Sequence, residues 1–193
     1  MKYDRDKVID KATALFWQRG FQGAGMRDIQ QALDMRPGSI YARFQSKEGL
    51  FKLVVDKYAD NSQQRLTHVI EAESPLKALG AFFEEALMHP NDQRFMRQCL
   101  LIKSMTELDQ IGTVAKQSVI DGMQKLNTCF EHIVSAAIDK NELPDTTPKQ
   151  LAADWLQNQF VGLRTFALMH DDANSIRKMI DKVLLDLKHN WPT

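Results

Sequence analysis

Gly38-Ser39-Ile40-Tyr41-Ala42-Arg43-Phe44, then Ser46-Lys47-Glu48-Gly49-Leu50-Phe51, reads as one short helix, a break, and the opening of a longer helix. Pro37 stands at the first helical position, where the missing N–H costs nothing. Ile40 and Phe44 lie four apart and share a face that can enter a small core. A two-turn helix buries little surface on its own, so its other side needs a role. Gly38, Ser39, Tyr41 and Arg43 point that way and supply a backbone donor at a helix N-terminus, a hydroxyl, a phenol and a cation. Each is a partner for a phosphate or a base edge. Ser46 is a suitable N-cap for the next helix, and Lys47 adds a cation at its start.

Upstream, Val8, Ile9, Ala12, Leu15 and Phe16 recur at helical spacing, and Gly20 closes that run. A second short helix carries Met26, Ile29, Ala32 and Leu33 and ends at Asp34-Met35-Arg36. A helix followed by two short helices across a tight turn is a helix-turn-helix arrangement. Downstream the pattern stays helical. A fourth helix is expected over 47–72, and a fifth from Ser74-Pro75 to His89-Pro90. A sixth follows over 92–108, and a seventh runs from Gly112 to just before Leu143-Pro144. The eighth is expected from Thr147-Pro148 to near His170, and a ninth, capped by Asn174 or Ser175, runs to about Asn190. No period-2 strand is convincing. The expected class is all-α, with the domain border inside the fourth helix. Residues 1–50 read as the helix-turn-helix domain and 51–193 as a larger regulatory, ligand-binding and dimerising domain.

The segments Ala14-Leu15-Phe16, Gly20-Phe21, Met26-Arg27-Asp28-Ile29, Gly38 to Phe44 and Ser46 to Phe51 resemble, in order and spacing, the DNA-binding domain of the TetR family of transcriptional regulators. The resemblance implies a homodimer with two reading heads on a double-stranded DNA operator, a repressor released when a small molecule binds the larger domain. It places Tyr41, Arg43 and Lys47 at phosphate-contact positions and Ser39 in the base-reading helix. Arg27 falls at the start of the helix lying across the backbone, and Gly38 offers its amide. The chain departs from the pattern in three places. Ala24-Gly25 replaces capping hydroxyl residues, Asp34 stands where the turn usually has glycine, and Arg36 replaces a serine cap and offers an extra phosphate contact instead. A contrasting reading is a helical protein-interaction module that has lost DNA binding; the intact Gly38-Ser39, Tyr41, Arg43 and Lys47 face speaks against it.

The net charge is zero, yet the first 50 residues carry nine cations and six carboxylates. A basic head on a neutral chain fits phosphate binding at one end. Hydrophobic residues make up 44%, the balance of a soluble globular protein. No apolar run reaches the ~20 residues of a membrane span, and no leader pattern opens the chain, so a cytoplasmic protein is expected. No phosphate loop, nucleophile elbow or zinc-protease pattern appears, which leaves no catalytic residues and no cofactor. Cys129 and His132 share a helix face, but zinc takes three or four ligands and the other histidines show no paired spacing, so no metal site is expected.

In the larger domain Met96, Cys99, Met123, Trp155 and Phe160 are the candidate lining of a pocket for a small apolar ligand, since methionine adapts to loosely specified cavities. The segment from Arg97-Gln98-Cys99 to Thr106-Glu107-Leu108 resembles a subgroup of the family that includes a repressor responding to electrophiles and oxidants through a cysteine. Gln98 stands here where glycine usually precedes that cysteine. Cys99, placed on the sixth helix, is therefore either a sensor or a buried, inert thiol. Ile176, Met179, Ile180, Val183, Leu184 and Leu187 form one apolar seam. With Trp155, Gly162, Leu163 and Phe166 of the eighth helix, it makes the last two helices the expected dimer interface.

Overall fold

The computed structural model describes residues 4–88, 98–189 and 191. Its helices are α1 (Arg5–Gly23), α2 (Met26–Leu33), α3 (Pro37–Phe44), α4 (Lys47–Glu71), α5 (Pro75–Leu87), α6 (Leu100–Met105), α7 (Thr113–Asp139), α8 (Lys149–Met169) and α9 (Ala173–Asp186). A 3₁₀ turn at Leu108–Gln110 lies between α6 and α7. Among the described residues there is no strand. Two compact units emerge. One comprises the described residues up to Asp60 together with Leu100–Met123. The other comprises Asn61 to Cys99 together with the residues from Gln124 onward. The divisions after Asp60 and after Met123 fall inside long helices, α4 and α7, and the third falls between Cys99 and Leu100, at the start of α6.

The first unit is built on a small aromatic core. Phe51 packs edge-on against Phe16 and tilted against Phe21, each at 5.0 Å between ring centroids. Ile29, Ile40, Phe44 and Leu50 are buried around them. Each such side chain contributes roughly 1.5–3 kcal/mol by leaving water. α1 does not stop at Gly20 as the sequence suggests. It kinks there, at φ 75° and ψ 176°, and resumes helical geometry as far as Gly23. Asp34 closes α2 in the left-handed conformation, φ 53° and ψ 48°, so the aspartate takes the backbone role that glycine fills more easily. Ser46 Oγ accepts from the amide of Gly49 at 3.0 Å and caps α4.

The sixth helix is far shorter than expected. α6 spans only Leu100–Met105, residues 92–97 lie outside the described residues, and Cys99 sits in the non-helical segment before the helix rather than on it. Hydroxyls at its far end turn inward, with Ser104 Oγ donating to the Leu100 carbonyl at 2.8 Å and Thr106 Oγ1 to the Lys103 carbonyl at 2.7 Å. Such local bonds compete with helix propagation.

In the second unit Phe160 stacks on Phe83 at 4.5 Å, with Phe82 at 5.5 Å and Phe130 at 6.0 Å. Ser74 caps α5, and Glu142, distant in sequence, accepts from the Ser74 hydroxyl and from the Leu76 amide at 2.9 Å. The cap of α9 is Asp172, not Asn174 or Ser175. Its carboxylate accepts from the Asn174 amide at 3.1 Å and from the Ser175 hydroxyl at 2.5 Å. The apolar stripe of α9 is used differently from expectation. Ile176, Ile180, Val183 and Leu187 are buried within their own chain, where α9 packs on α5 and α8. Helical periodicity reports that a face is buried but not which partner buries it, and here the nearest partner is intramolecular. Met179 stays exposed, as does Gly162 on α8, which has open space where a Cβ would stand.

Candidate nucleic-acid interface

α3 is the centre of the interface. Ile40 and Phe44 are fixed in the core, and this orients the rest of the helix outward. Gly38 and Arg43 are exposed, Ser39 is half-buried, and Tyr41 presents 51% of its surface. Arg43 Nη1 reaches back to the Ser39 carbonyl at 3.4 Å, a weak contact that a phosphate can replace. Arg36 is the exposed N-cap of α3 and makes no side-chain capping bond, so its guanidinium is not committed to the helix end. Arg27 is exposed at the start of α2. That helix begins at Gly25, whose amide donates to Asp28 Oδ2 at 2.9 Å, while Asp28 Oδ1 accepts from Arg19 at 2.6 Å. Asp28 therefore satisfies the amide of the N-cap residue, whereas the missing hydroxyl residues would have accepted from amides of the first turn.

Lys47 is set apart from these. Its ammonium lies 4.4 Å above the ring of Phe21 and is half-buried. Desolvation lowers its pKa, and the nearby carboxylates of Glu107 and Asp28 push it back up. This cation is held by its own unit, whereas Arg27, Arg36 and Arg43 extend to solvent. Gly49 supports the same corner. A Cβ there would meet the backbone carbonyl oxygen of Phe44 well inside van der Waals contact, so the α3–α4 junction closes only around glycine.

Behind the reading helix the kink of α1 is held by α6 and the turn after it. At Gly20 the helical ladder breaks, leaving carbonyls on one side and amides on the other. Lys103 Nζ donates to the carbonyls of Trp17 and Gln18 at 2.8 and 3.0 Å. One turn on, Glu107 accepts from the amides of Phe21 and Gln22 at 2.7 and 3.1 Å. Lys103 pays for its desolvation with a lowered pKa, opposed by Glu107. Gly20 is needed twice over: its φ is positive, and a Cβ would stand 2.9 Å from the Glu107 carboxylate. Lys103 and Glu107 share one i, i+4 spacing, which was readable in sequence, but their target, 85 residues upstream, was not.

Of the five candidate pocket residues, Phe160 and Trp155 lie on α8, Met123 on α7 and Cys99 just before α6. Phe160 belongs to the ring cluster of the second unit. Trp155, half-buried on the same helix, packs edge-on against Trp191 at 5.8 Å. Met123 is half-buried at the end of α7's contribution to the first unit, and Met96 lies outside the described residues. Cys99 is 5% exposed. Cys129 is buried too, and burial pushes its thiol pKa up against the pull of Lys125, which keeps it neutral and unreactive. Among the described residues no three metal-ligating side chains cluster, and no helix is long and apolar enough to cross a membrane.

The family model for bacterial regulatory proteins of the tetR family matches residues 8–54, and that for the tetracyclin repressor-like C-terminal domain matches residues 75–183. The chain belongs to the tetR family. It is a DNA-binding transcription regulator, with the helix-turn-helix at α2–α3 as its reading element. The tetR-family relatives include the transcriptional repressor ComR of Escherichia coli, 32% identical over 108 residues. That match takes in 55% of this chain and only 51% of ComR. The repressor DhaR of a Mycobacterium species is 23% identical over 158 residues, 78% of each chain. In three dimensions the fold is similar to a cysteine mutant of CifR complexed with 26-base-pair operator DNA. The TM-score is 0.80 and the identity 23%, with 100% of this chain and 99% of that one covered. It is also similar to the reduced form of E. coli NemR, with TM-score 0.78, identity 18% and 95% of each chain covered.

Proposed function

We propose that this regulator is a repressor that binds a near-palindromic duplex operator in the cytoplasm as a homodimer and leaves it when a small apolar molecule binds. The observation that carries the reading is the outward face of α3, where Gly38, Ser39, Tyr41 and Arg43 stand over the buried Ile40 and Phe44. In this reading Tyr41, Arg43, Arg27, Arg36 and Lys47 take phosphates, Gly38 offers its amide, and Ser39 reads a base edge. Residues 1–50 form the reading head and 51–193 the regulatory and dimerising part. The exposed remainder of α8 and α9, including Gly162 and Met179, faces the second copy. The protein performs no chemistry of its own, and the apolar ligand is sought around Phe160, Trp155, Met123, Met96 and Cys99.

A ligand moves the DNA equilibrium only through its difference in affinity between the two states of the heads. The test is binding of the full chain to duplexes selected from a random pool. Tyr41→Ala, which removes a neutral phenol, is expected to weaken all sequences with the salt slope little changed, and Arg43→Ala to weaken them with a slope lower by about 0.9 for each lost phosphate contact. Ser39→Ala is expected to change sequence preference with the slope intact. A wild-type chain that binds no duplex, while α3 still mediates protein association, replaces this reading with that of an interaction module.

A further inference from the structure

The first unit holds a groove of about 880 Å³ that extends from the helix-turn-helix to the start of α1. One wall is the start of α1 and the other is the α2–α3 turn with Ser39 and Arg43 of α3. Its lining contains five cations, Arg5, Lys7, Lys11, Arg36 and Arg43, against the carboxylates of Asp4 and Asp34.

The sorting of charge on α1 makes this groove basic. The helix and its N-cap open with three acids and three bases, Asp4, Arg5, Asp6, Lys7, Asp10 and Lys11. Asp6 and Asp10, one turn apart, both turn to Lys57 of α4, at 3.3 and 2.9 Å. That pairing raises the Lys57 pKa against the opposing effect of burial. Asp4 is used as the N-cap, accepting from the amides of Asp6 and Lys7 at 3.2 and 3.3 Å. Lys7 and Lys11, also one turn apart, lie on a different face from Asp6 and Asp10 and line the groove. Lys7 has 80% of its side chain exposed and makes a 3.6 Å contact to Asp4. Asp6 and Asp10 thus share the Lys57 cation, and Lys7 and Lys11 are left at the groove beside the reading helix.

We propose that Lys7 and Lys11, with Arg5, form a second phosphate-binding edge of the DNA interface, taking the phosphodiester backbone of the same duplex whose bases face α3. The proposal rests on the operator-binding reading above. Two features of the groove support it. Ser39 and Arg43 belong both to it and to the α3 face, so a strand lying against α3 continues along α1. Its cations on α1 are mainly lysines, compact point charges that suit a backbone without reading sequence.

The test compares full-length wild type with Lys7→Ala/Lys11→Ala, on duplexes selected on the wild type, by fluorescence anisotropy across a salt series. The double variant is expected to lose affinity on specific and random duplexes alike, with a salt slope lower by about 0.9 for each lost contact in each protomer. Sequence preference and thermal unfolding stay as in wild type. Lys7→Arg/Lys11→Arg restores the slope, and Lys77→Ala, an exposed lysine on α5, leaves it unchanged. If the lysine variant keeps wild-type affinity and slope while Tyr41→Ala and Ser39→Ala act as above, the α1 edge is wrong and the α3 reading stands. If wild type itself binds no duplex, the operator reading falls. If affinity drops with an unchanged slope, or only for the selected sequence, phosphate contact by these lysines is overturned.

Discussion

The unit that reads DNA and the unit built around Phe160 are both helical, yet they were legible to very different degrees. In the first, the helices are short and their ends are set by residues with local obligations: Pro37 at the start of α3, Asp34 in the left-handed turn, Ser46 at the cap of α4. In the second, long amphipathic helices present apolar stripes, and a stripe is satisfied by any apolar neighbour. The same periodicity that places Ile40 and Phe44 in the core assigns Ile176, Ile180 and Val183 to a partner that turns out to be their own chain. Local rules name a conformation, whereas hydrophobic periodicity names only a need for cover.

The contrast can be broken or sharpened by substitution. The largest effect is expected at Gly49. Gly49→Ala drives a methyl into the Phe44 carbonyl at the α3–α4 junction, so unfolding of the first unit is expected to be easier by about 4 kcal/mol or more. Circular dichroism during urea unfolding reads it, and a variant as stable as wild type would show that the junction adapts. Phe160→Ala removes the ring that stacks on Phe83, and a loss of about 3–5 kcal/mol is expected by the same measurement. A much smaller loss would mean that the aromatic cluster collapses around the gap, and the second unit would then be more plastic than the first.

Glu107→Ala sits between the two kinds of argument, because a tertiary contact here satisfies a local backbone break. Leaving the amides of Phe21 and Gln22 without their acceptor is expected to cost about 1–3 kcal/mol. Glu107→Gln, which keeps an acceptor oxygen, is expected to recover part of it. Equal losses in both variants would assign the effect to charge rather than to the hydrogen bonds. The smallest effect belongs to the α9 cap. The Ser175 hydroxyl and the Asn174 amide hold the Asp172 carboxyl below its ordinary value of 3.8. The unfolded chain therefore binds the proton more readily, and the stabilisation is present above 3.8 and lost as the pH falls through the lower folded value. An acid titration of thermal stability in which Asp172→Asn has the same slope as wild type as the pH falls from above 3.8 through the lower folded value would remove the cap from the account.

The sequence by itself determined the helical class, the helix-turn-helix, the outward face of α3 and the cap of α4, because each depends on residues within a few positions of one another. It also contained Lys7 and Lys11 one turn apart and Lys103 and Glu107 one turn apart, but as unassigned charge. Only the tertiary structure decided what those charges meet. Lys57 takes up Asp6 and Asp10 and leaves the groove basic, and Lys103 of α6 and Glu107 of the turn after it supply the donor and the acceptor for a break in α1. It also decided that α9's stripe is covered from within. The physical reason is the range of the interactions. Caps, turns and helical faces are set over one or two turns of chain, whereas charge neutralisation and apolar burial depend on whichever surface folding brings within a few ångströms.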